Sequence, residues 1–182
     1  IFYIKILSIK MFKKIFLLLM FLCVVDAKEI KILESMQAKF TQKIFSDEHT
    51  ITYKGEIFAL APRSLLWKYQ TPVSKEIYIE QDTMIIYEPQ LEQAIFTHLQ
   101  ENLDILNLVH QAVKITQDHY VAEILNQKYH LYFAKGILQR ISFEDSMGNQ
   151  VEIVFEDIQV NPKIDPKIFD FKPASNIDIL YN

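Results

Sequence analysis

Stretches in which apolar and polar side chains alternate fill most of the chain beyond residue 37. In residues 38–44, apolar Ala38 and Phe40 flank polar Lys39, and this period of two is typical of a strand with one buried face. Turn-forming residues such as Pro62 and Gly136 separate the stretches. The predicted strands are residues 38–44, 51–59, 65–69, 76–80, 83–87, 93–98, 120–125, 128–134, 138–144 and 150–160. The pattern predicts a mainly β protein.

Two segments instead show apolar residues at helical spacing. In residues 29–37, Ile32, Leu33 and Met36 predict a short amphipathic helix. In residues 102–111, a wide apolar stripe predicts a helix that faces a core or a pocket. Two helices are too few to cover both faces of a parallel sheet, so we expect a sheet that curls toward a barrel or sandwich around a helix.

Residues 1–27 have the pattern of a signal peptide. Lys13 and Lys14 precede an apolar run over residues 15–25, and Ala27 provides the small residue before a cleavage site. Met11 is the natural start, and residues 1–10 are interpreted as an upstream extension. We therefore expect a secreted protein with a single domain over residues 28–182.

Cys23 leaves a second interpretation open. A lipid-modified cysteine would follow a small residue, whereas Leu22 precedes this one. We expect Cys23 to be discarded with the signal peptide, which leaves a mature chain without cysteine. A retained outer-membrane lipoprotein is the alternative.

The charge of the mature chain argues against nucleic-acid binding. Residues 28–182 carry 15 Lys and Arg against 22 Asp and Glu, a net charge of −7. Such a domain repels phosphate backbones and anionic membrane surfaces.

Known catalytic patterns are missing from the sequence. The five histidines, at positions 49, 98, 110, 119 and 130, do not have metal-ligand spacing. Glycine occurs at positions 55, 136 and 148 alone, which leaves no phosphate-binding loop. We expect no catalytic residue, no metal and no cofactor.

Five short motifs occur in a recognisable order along the chain. They are residues 40–43 (FTQK), residues 55–58 (GEIF), Pro62 with residues 65–67 (LLW), residues 87–93 (YEPQLEQ) and residues 164–173 (IDPKIFDFKP). In this order and spacing they resemble the LolA-type outer-membrane lipoprotein carrier proteins, and the resemblance covers residues 28–182.

The resemblance implies a fold and a function. The fold is an incomplete antiparallel β-barrel, a half-barrel, whose apolar cavity is covered by helices; here the lid would be residues 29–37 and 102–111. The function is to carry the acyl chains of lipoproteins across the periplasm as a monomer. The implied partners are the acylated lipoproteins, an inner-membrane ABC-type exporter as donor and an outer-membrane acceptor.

The resemblance also gives candidate site residues. The expected cavity lining is Phe40, Phe58, Leu65, Trp67, Ile77, Ile79, Met84, Ile86, Leu106 and Val109. A β-rich domain buries a similar number of apolar side chains in an ordinary core, so the resemblance alone favours a pocket. A shift of one residue would exchange Met84 and Ile86 for Ile85 and Tyr87.

Trp67, the single tryptophan, is the sharpest lining candidate. For the lid, the family has a basic residue directly before the proline of the third motif. Here Ala61 holds that place and Arg63 follows Pro62. Arg63 and Leu106 are therefore the candidate gating residues, with a solvated turn residue as the alternative for Arg63.

Two other classes of function stay open. One is a half-barrel periplasmic regulatory domain that senses lipid or protein. The other is a small periplasmic enzyme that acts on lipids, for which turnover of an acyl substrate is the discriminating observation.

Overall fold

The computed structural model describes residues 33–47, 49–99, 105–173 and 176–181. Twelve strands account for most of this part of the chain. They are β1 (Ser35–Phe45), β2 (Thr50–Leu60), β3 (Ser64–Thr71), β4 (Lys75–Glu80), β5 (Thr83–Glu88), β6 (Gln93–His98), β7 (Val113–Lys114), β8 (His119–Ile124), β9 (Gln127–Ala134), β10 (Ile137–Glu144), β11 (Gln150–Val160) and β12 (Asp178–Tyr181). One α-helix, α1 (Ile105–Gln111), and two 3-10 turns, Pro89–Leu91 and Pro166–Phe169, complete it.

All twelve strands belong to one open sheet. The order is β12-β6-β5-β4-β3-β2-β1-β11-β10-β9-β8-β7, and every neighbouring pair is antiparallel except β12 with β6. The sheet therefore has two free edges and is not a closed barrel. The prediction of a mainly β half-barrel is confirmed.

The two faces of the sheet have different cores. We call the face that α1 covers the helix face; it carries the larger core, which includes Phe40, Leu65 and Leu131. We call the opposite face the tail face, because residues 164–171 cover part of it. There Phe169 is buried against Leu66 and Tyr78. Alternation along each strand gives the sheet these two apolar surfaces.

The tail-face cover depends on the last of the five motifs. Asp165 caps the 3-10 turn Pro166–Phe169 by accepting a hydrogen bond from the backbone N–H of Lys167. Beyond the turn, Phe171 contacts the rings of Tyr78, Tyr87 and Phe96. These rings come from β4, β5 and β6, so the segment crosses three strands before β12 adds to the edge.

The other half of the tail face carries a polar row across β8, β9 and β10. The rings of His119 and His130 stack, and His119 Nε2 lies 3.0 Å from His130 Nδ1. His119 also stacks on Tyr132, whose ring lies under the guanidinium of Arg140 at 3.9 Å. Since these side chains are polar, this half of the face needs no apolar cover.

The predicted helix over residues 29–37 is wrong where the structure describes it. Ser35, Met36 and residue 37 belong to β1, in which Met36 pairs with Ala59 of β2 and Val160 of β11. Met36 and Phe40 are four residues apart, a spacing that fits both a helix and the two-residue period of a strand. Pairing of this segment with the two neighbouring strands decides in favour of the strand. Residues 29–32 lie outside the described residues, as does the predicted signal peptide.

The second predicted helix is confirmed over Ile105–Gln111, and residues 102–104 lie outside the described part. Val113, two residues beyond the predicted helix, lies exposed in β7. Strands β7 and β12 were not predicted, because one is two residues long and the other is exposed throughout.

Candidate functional site

An apolar pocket of about 200 Å³ lies between α1 and the helix face. Its walls come from α1 and from strands β3, β8, β9, β10 and β11. The lining residues are Trp67, Ile105, Leu108, Ile124, Tyr129, Ile141, Phe143 and Ile153. None of these side chains carries a charge, so the pocket suits hydrocarbon and disfavours ions.

Aromatic rings form one wall of the pocket. Trp67 is half-buried, and its ring meets that of Phe40 edge-on with 4.8 Å between centroids. Tyr69 contacts Phe40 at 5.1 Å, and Phe155 lies 6.3 Å from Trp67. Such edge-on contacts hold each ring in place beyond simple burial, so Trp67 is presented to the pocket from a rigid support.

Gly55 makes room for this arrangement. It pairs with Phe40 of β1 and with Tyr69 of β3. A Cβ at position 55 would overlap the backbone carbonyl of Lys68 and would come within 3.0 Å of the Phe40 ring. Glycine is therefore required here by close approach of the backbone and a ring.

One polar pair interrupts the apolar surface beside the pocket. The hydroxyl of Tyr69 donates a hydrogen bond of 2.9 Å to Gln42 Oε1. Burial raises the pKa of Tyr69 to about 12, with a smaller contribution from Tyr53. The hydroxyl therefore stays protonated at neutral pH and remains a donor.

Helix α1 is held by apolar contacts and lies next to empty space on two sides. It contacts β8 and β2, and Ile105, Leu106, Leu108 and Val109 are buried. The main pocket touches Ile105 and Leu108, while a smaller void of about 20 Å³ touches Val109. Side chains that border voids lose dispersion contacts, so the packing between α1 and the strands beneath it is incomplete.

The predicted lining residues fall into three groups. Trp67 alone among them lines the pocket. Phe40, Leu65, Ile79, Leu106 and Val109 are buried in the helix-face core, and Ile77 and Met84 are partly buried against it. Ile86 is half-buried and pairs with Ile77, which places it on the same face. Their direct contact with a ligand stays a prediction.

Phe58 corrects the predicted set. Its neighbours Ile57 and Ala59 are fully buried on the helix face. Alternation therefore turns Phe58 to the tail face, where it packs against Leu66, Tyr78 and Phe169. Ile85 likewise belongs to the tail-face cluster. Its neighbours Met84 and Ile86 therefore lie on the helix face.

Arg63 contacts a turn and not the described part of the helix. Its guanidinium lies 2.6 Å from Asp82 Oδ1, in a pair whose side chains are 29% and 55% exposed. The carbonyl of Asp82 in turn accepts a hydrogen bond of 2.7 Å from the N–H of Leu99. Arg63 is thus linked through the β4–β5 turn to the chain just before the helix.

Seven of the eight lining residues were missed as candidates. Ile124, Tyr129, Ile141, Phe143 and Ile153 belong to the strands that follow α1, while the sequence motifs directed attention to the strands before it. Alternation within β9, β10 and β11 identifies their buried face. It does not show where the helix leaves space above that face.

A second cavity, of about 500 Å³, lies on the tail face. It borders the β4–β5 turn and the C-terminal segment. Its lining is Tyr78, Glu80, Gln81, Asp82, Thr83, Ile85, His98, Phe169 and Phe171. Two carboxylates in the lining make this cavity unsuitable for a hydrocarbon chain.

The described residues contain no group of three or more side chains able to hold a metal ion. Among the helices of the same ranges, none has the length and apolar character needed to cross a membrane.

Comparison with known proteins assigns this arrangement to a class. A family model described as outer membrane lipoprotein carrier protein LolA matches residues 31–130. An outer-membrane lipoprotein carrier protein from Wolinella succinogenes is 36% identical over 148 residues, which cover 80% of this chain and 86% of that protein. An outer-membrane lipoprotein carrier protein from Helicobacter pylori strain J99 is 35% identical over 182 residues, which cover 94% of this chain and 98% of that protein.

Solved structures share the fold at low identity. An uncharacterised conserved protein from Thermus thermophilus aligns with a TM-score of 0.54 at 12% identity, over 87% of this chain and 96% of that one. A LolA superfamily protein from Nitrosomonas europaea aligns with a TM-score of 0.50 at 12% identity, over 80% and 94%. The chain belongs to the LolA family of outer-membrane lipoprotein carrier proteins.

Proposed function

We propose that this protein is a periplasmic carrier that binds the acyl chains of lipoproteins released from the inner membrane and delivers them to the outer membrane. Family membership supports this role. The observation that carries it is the uncharged pocket between α1 and the helix face, with Trp67 in its wall.

The physical need for such a pocket follows from the cargo. Each methylene group removed from water contributes about 0.8 kcal/mol, so acyl chains in water carry a cost of tens of kcal/mol on that scale. An apolar pocket removes that cost without any covalent step. Transfer then depends on the relative affinities of donor, carrier and acceptor, and the protein acts as a carrier and not as an enzyme.

The pocket must enlarge to accept its cargo. At about 200 Å³ it is smaller than typical ligand pockets of about 300–1,000 Å³. The small pocket supports the proposal that this is a closed form of the carrier. Helix α1 is the proposed lid, and Leu106 is its buried anchor. Arg63 acts on this lid through the β4–β5 turn and Leu99.

Export and partners complete the proposal. Residues 1–27 direct the chain to the periplasm and are removed, and residues 28–182 form the monomeric carrier. The donor is an ABC-type exporter of the inner membrane and the acceptor is an outer-membrane protein. Mass spectrometry of the mature N-terminus tests the cleavage. A mature chain that begins at a lipid-modified Cys23 would refute it.

Purification from cells that make a tagged lipoprotein tests the carrier role. The unaltered protein is expected to elute with the acylated lipoprotein. Phe143→Glu places a charge at the pocket and is expected to abolish co-elution. Val154→Glu is the matched control, because Val154 lies on the neighbouring strand and faces away from the pocket. Loss of cargo from both variants, or from neither, would contradict the proposal.

Trp67 fluorescence provides a direct binding assay. A medium-chain diacylglycerol that enters the pocket removes water from the half-exposed indole. The emission is therefore expected to shift to shorter wavelength in proportion to occupancy. An unchanged spectrum at saturating ligand would remove Trp67 from the site.

A further inference from the structure

The hydrogen-bonded pair Gln42 and Tyr69 is a polar feature within an otherwise apolar face. The two residues lie on β1 and β3 and meet across β2. Tyr69 pairs with Gly55, and the missing side chain of Gly55 lets the Tyr69 ring approach the ring of Phe40. The pair is therefore built into the strand register and is not a chance contact of mobile surface groups.

The pair adjoins the pocket on two sides. Gln42 pairs with Ile153 of β11, which lines the pocket. Tyr69 stacks on Trp67, which also lines it, with 6.4 Å between ring centroids. The pair therefore lies directly beside the part of the pocket wall that Ile153 and Trp67 form.

Gln42 has hydrogen-bond donors to spare. Its side-chain oxygen accepts a hydrogen bond from the Tyr69 hydroxyl. This contact orients the amide so that its NH₂ group points away from Tyr69. Within the described residues, that NH₂ group donates to no protein acceptor. Since Tyr69 stays protonated, the orientation of the amide does not change near neutral pH.

Side chains become more exposed along β1 from Phe40 to Phe45. Along β1, Phe40 is 2% exposed, Gln42 and Ile44 are half-buried, and Phe45 is 41% exposed. Ile44 pairs with Ile51 of β2, which is 46% exposed. Gln42 thus lies where the buried face changes into the surface near the β1–β2 turn.

A diacylated lipid has a matching sequence of chemical groups. Its hydrocarbon tails end in ester carbonyls, and the glyceryl group and the polar remainder follow. Ester carbonyls that leave water need a donor, because a buried acceptor without a hydrogen bond is destabilising. An amide NH₂ between an apolar pocket and the solvent supplies that donor.

We propose that Gln42, oriented by Tyr69, binds the ester carbonyls of the diacylglyceryl end of the cargo while the tails fill the pocket. This inference rests on the proposed carrier function and extends it. Gln42 selects acyl esters over other amphiphiles with similar tails, and Tyr69 is a positioning residue.

Titration of Trp67 emission with two ligands tests the proposal. The ligands are a medium-chain diacylglycerol and its dialkyl ether analogue, which keeps the tails and lacks the carbonyls. The unaltered protein is expected to bind the diester more tightly than the diether. Gln42→Leu keeps the size of the side chain and removes its donors. It is expected to weaken diester binding about three- to tenfold, the range of one hydrogen bond, and to leave diether binding unchanged.

Two further variants separate this role from a structural one. Gln37→Leu changes a glutamine on the same strand that faces away from the pocket, and it is expected to keep the ester preference. Tyr69→Phe removes the hydroxyl that orients Gln42 and is expected to reduce the preference less than Gln42→Leu does. Thermal unfolding of each variant checks that the fold is intact.

The outcomes are distinguishable. Equal binding of both ligands by the unaltered protein, or an ester preference that survives Gln42→Leu, overturns the ester site and leaves the carrier function intact. Equal weakening of both ligands by Gln42→Leu shows a structural role and also overturns it. Failure of the unaltered protein to bind either ligand overturns the carrier proposal together with this one.

Discussion

Two cavities lie on opposite faces of the same sheet, and the smaller one is the better lipid site. The tail-face cavity has about 500 Å³ but contains Glu80 and Asp82 in its lining. The helix-face pocket has about 200 Å³ and no charged side chain. The chemistry of the lining therefore favours the helix-face pocket as the proposed lipid site, whereas volume alone would favour the tail-face cavity.

The segments that cover the two faces also differ in the side chains that hold them. On the tail face, Phe171 contacts three rings and Phe169 is 2% exposed. On the helix face, α1 borders empty space at both the main pocket and the void beside Val109. The tail-face cover is held by aromatic contacts, whereas the helix-face cover is held by aliphatic side chains that border an uncharged pocket.

The largest expected effect comes from the support of the helix face. Gly55→Ala would force a Cβ into the carbonyl of Lys68, so β2 and β3 would have to separate. We expect a loss of about 4 kcal/mol or more in the free energy of unfolding, measured with denaturant. Gly148→Ala is the control: its φ is +85° in open space, and the cost there is about 1–2 kcal/mol. Equal losses would show that close approach at Gly55 is unimportant.

Neighbouring leucines on β3 compare the two faces directly. Leu65 and Leu66 are each 1% exposed, on the helix face and the tail face respectively. Each change to alanine is expected to cost about 3 kcal/mol. Acyl ligand is expected to raise the melting temperature more for Leu65→Ala than for Leu66→Ala, because only the first change adds space on the ligand side. The opposite order would contradict our assignment of the faces.

The ion pair at the edge of the tail-face cavity is expected to have a smaller effect. Arg63 and Asp82 are partly exposed, so a double-mutant cycle with Arg63→Gln and Asp82→Asn should give about 0.2–1 kcal/mol. If Arg63 acts on the lid through this turn, both single variants should change acyl-ligand affinity to the same extent. An effect of Arg63→Gln alone would place its action elsewhere.

The smallest expected effect is on acid stability and concerns the polar row of the tail face. Partial burial, followed by the nearby His119 and Lys128, lowers the pKa of His130 from its usual 6.5. The unfolded chain therefore binds a proton more readily, and stability falls as the pH decreases from 6.5 through the lower folded pKa. His130→Gln should reduce the difference in melting temperature between about pH 7.5 and about pH 5.5. An unchanged difference would show that the His119–His130 contact does not contribute.

Much of the fold could be predicted from alternation alone. Ten of the strands follow a period of two in the sequence, and the turns between them contain the expected residues. The start of β1 was misread because Leu33, Met36 and Phe40 fit a helical period while Met36 and Phe40 also fit a strand. Only pairing with β2 and β11 decides between the two, and that pairing is not visible locally.

The site was less predictable than the fold. Trp67, a predicted lining residue, borders the pocket in the structure, and its contact with a ligand stays a prediction. Phe143 and Ile153 could be assigned to the buried face, but not to the pocket. Whether a buried side chain borders a gap depends on where α1 rests above the sheet, which is a property of three-dimensional packing.

The long sequence separation of the tail-face contacts has a consequence for biogenesis. Leu66 and Tyr78 are synthesised well before Phe169 and Phe171, which cover them. Until the later residues arrive, the nascent sheet exposes these apolar side chains to the surrounding water. Premature termination before residue 166 would make that exposure permanent, and the shortened product would be prone to self-association and a ready substrate for quality-control proteases.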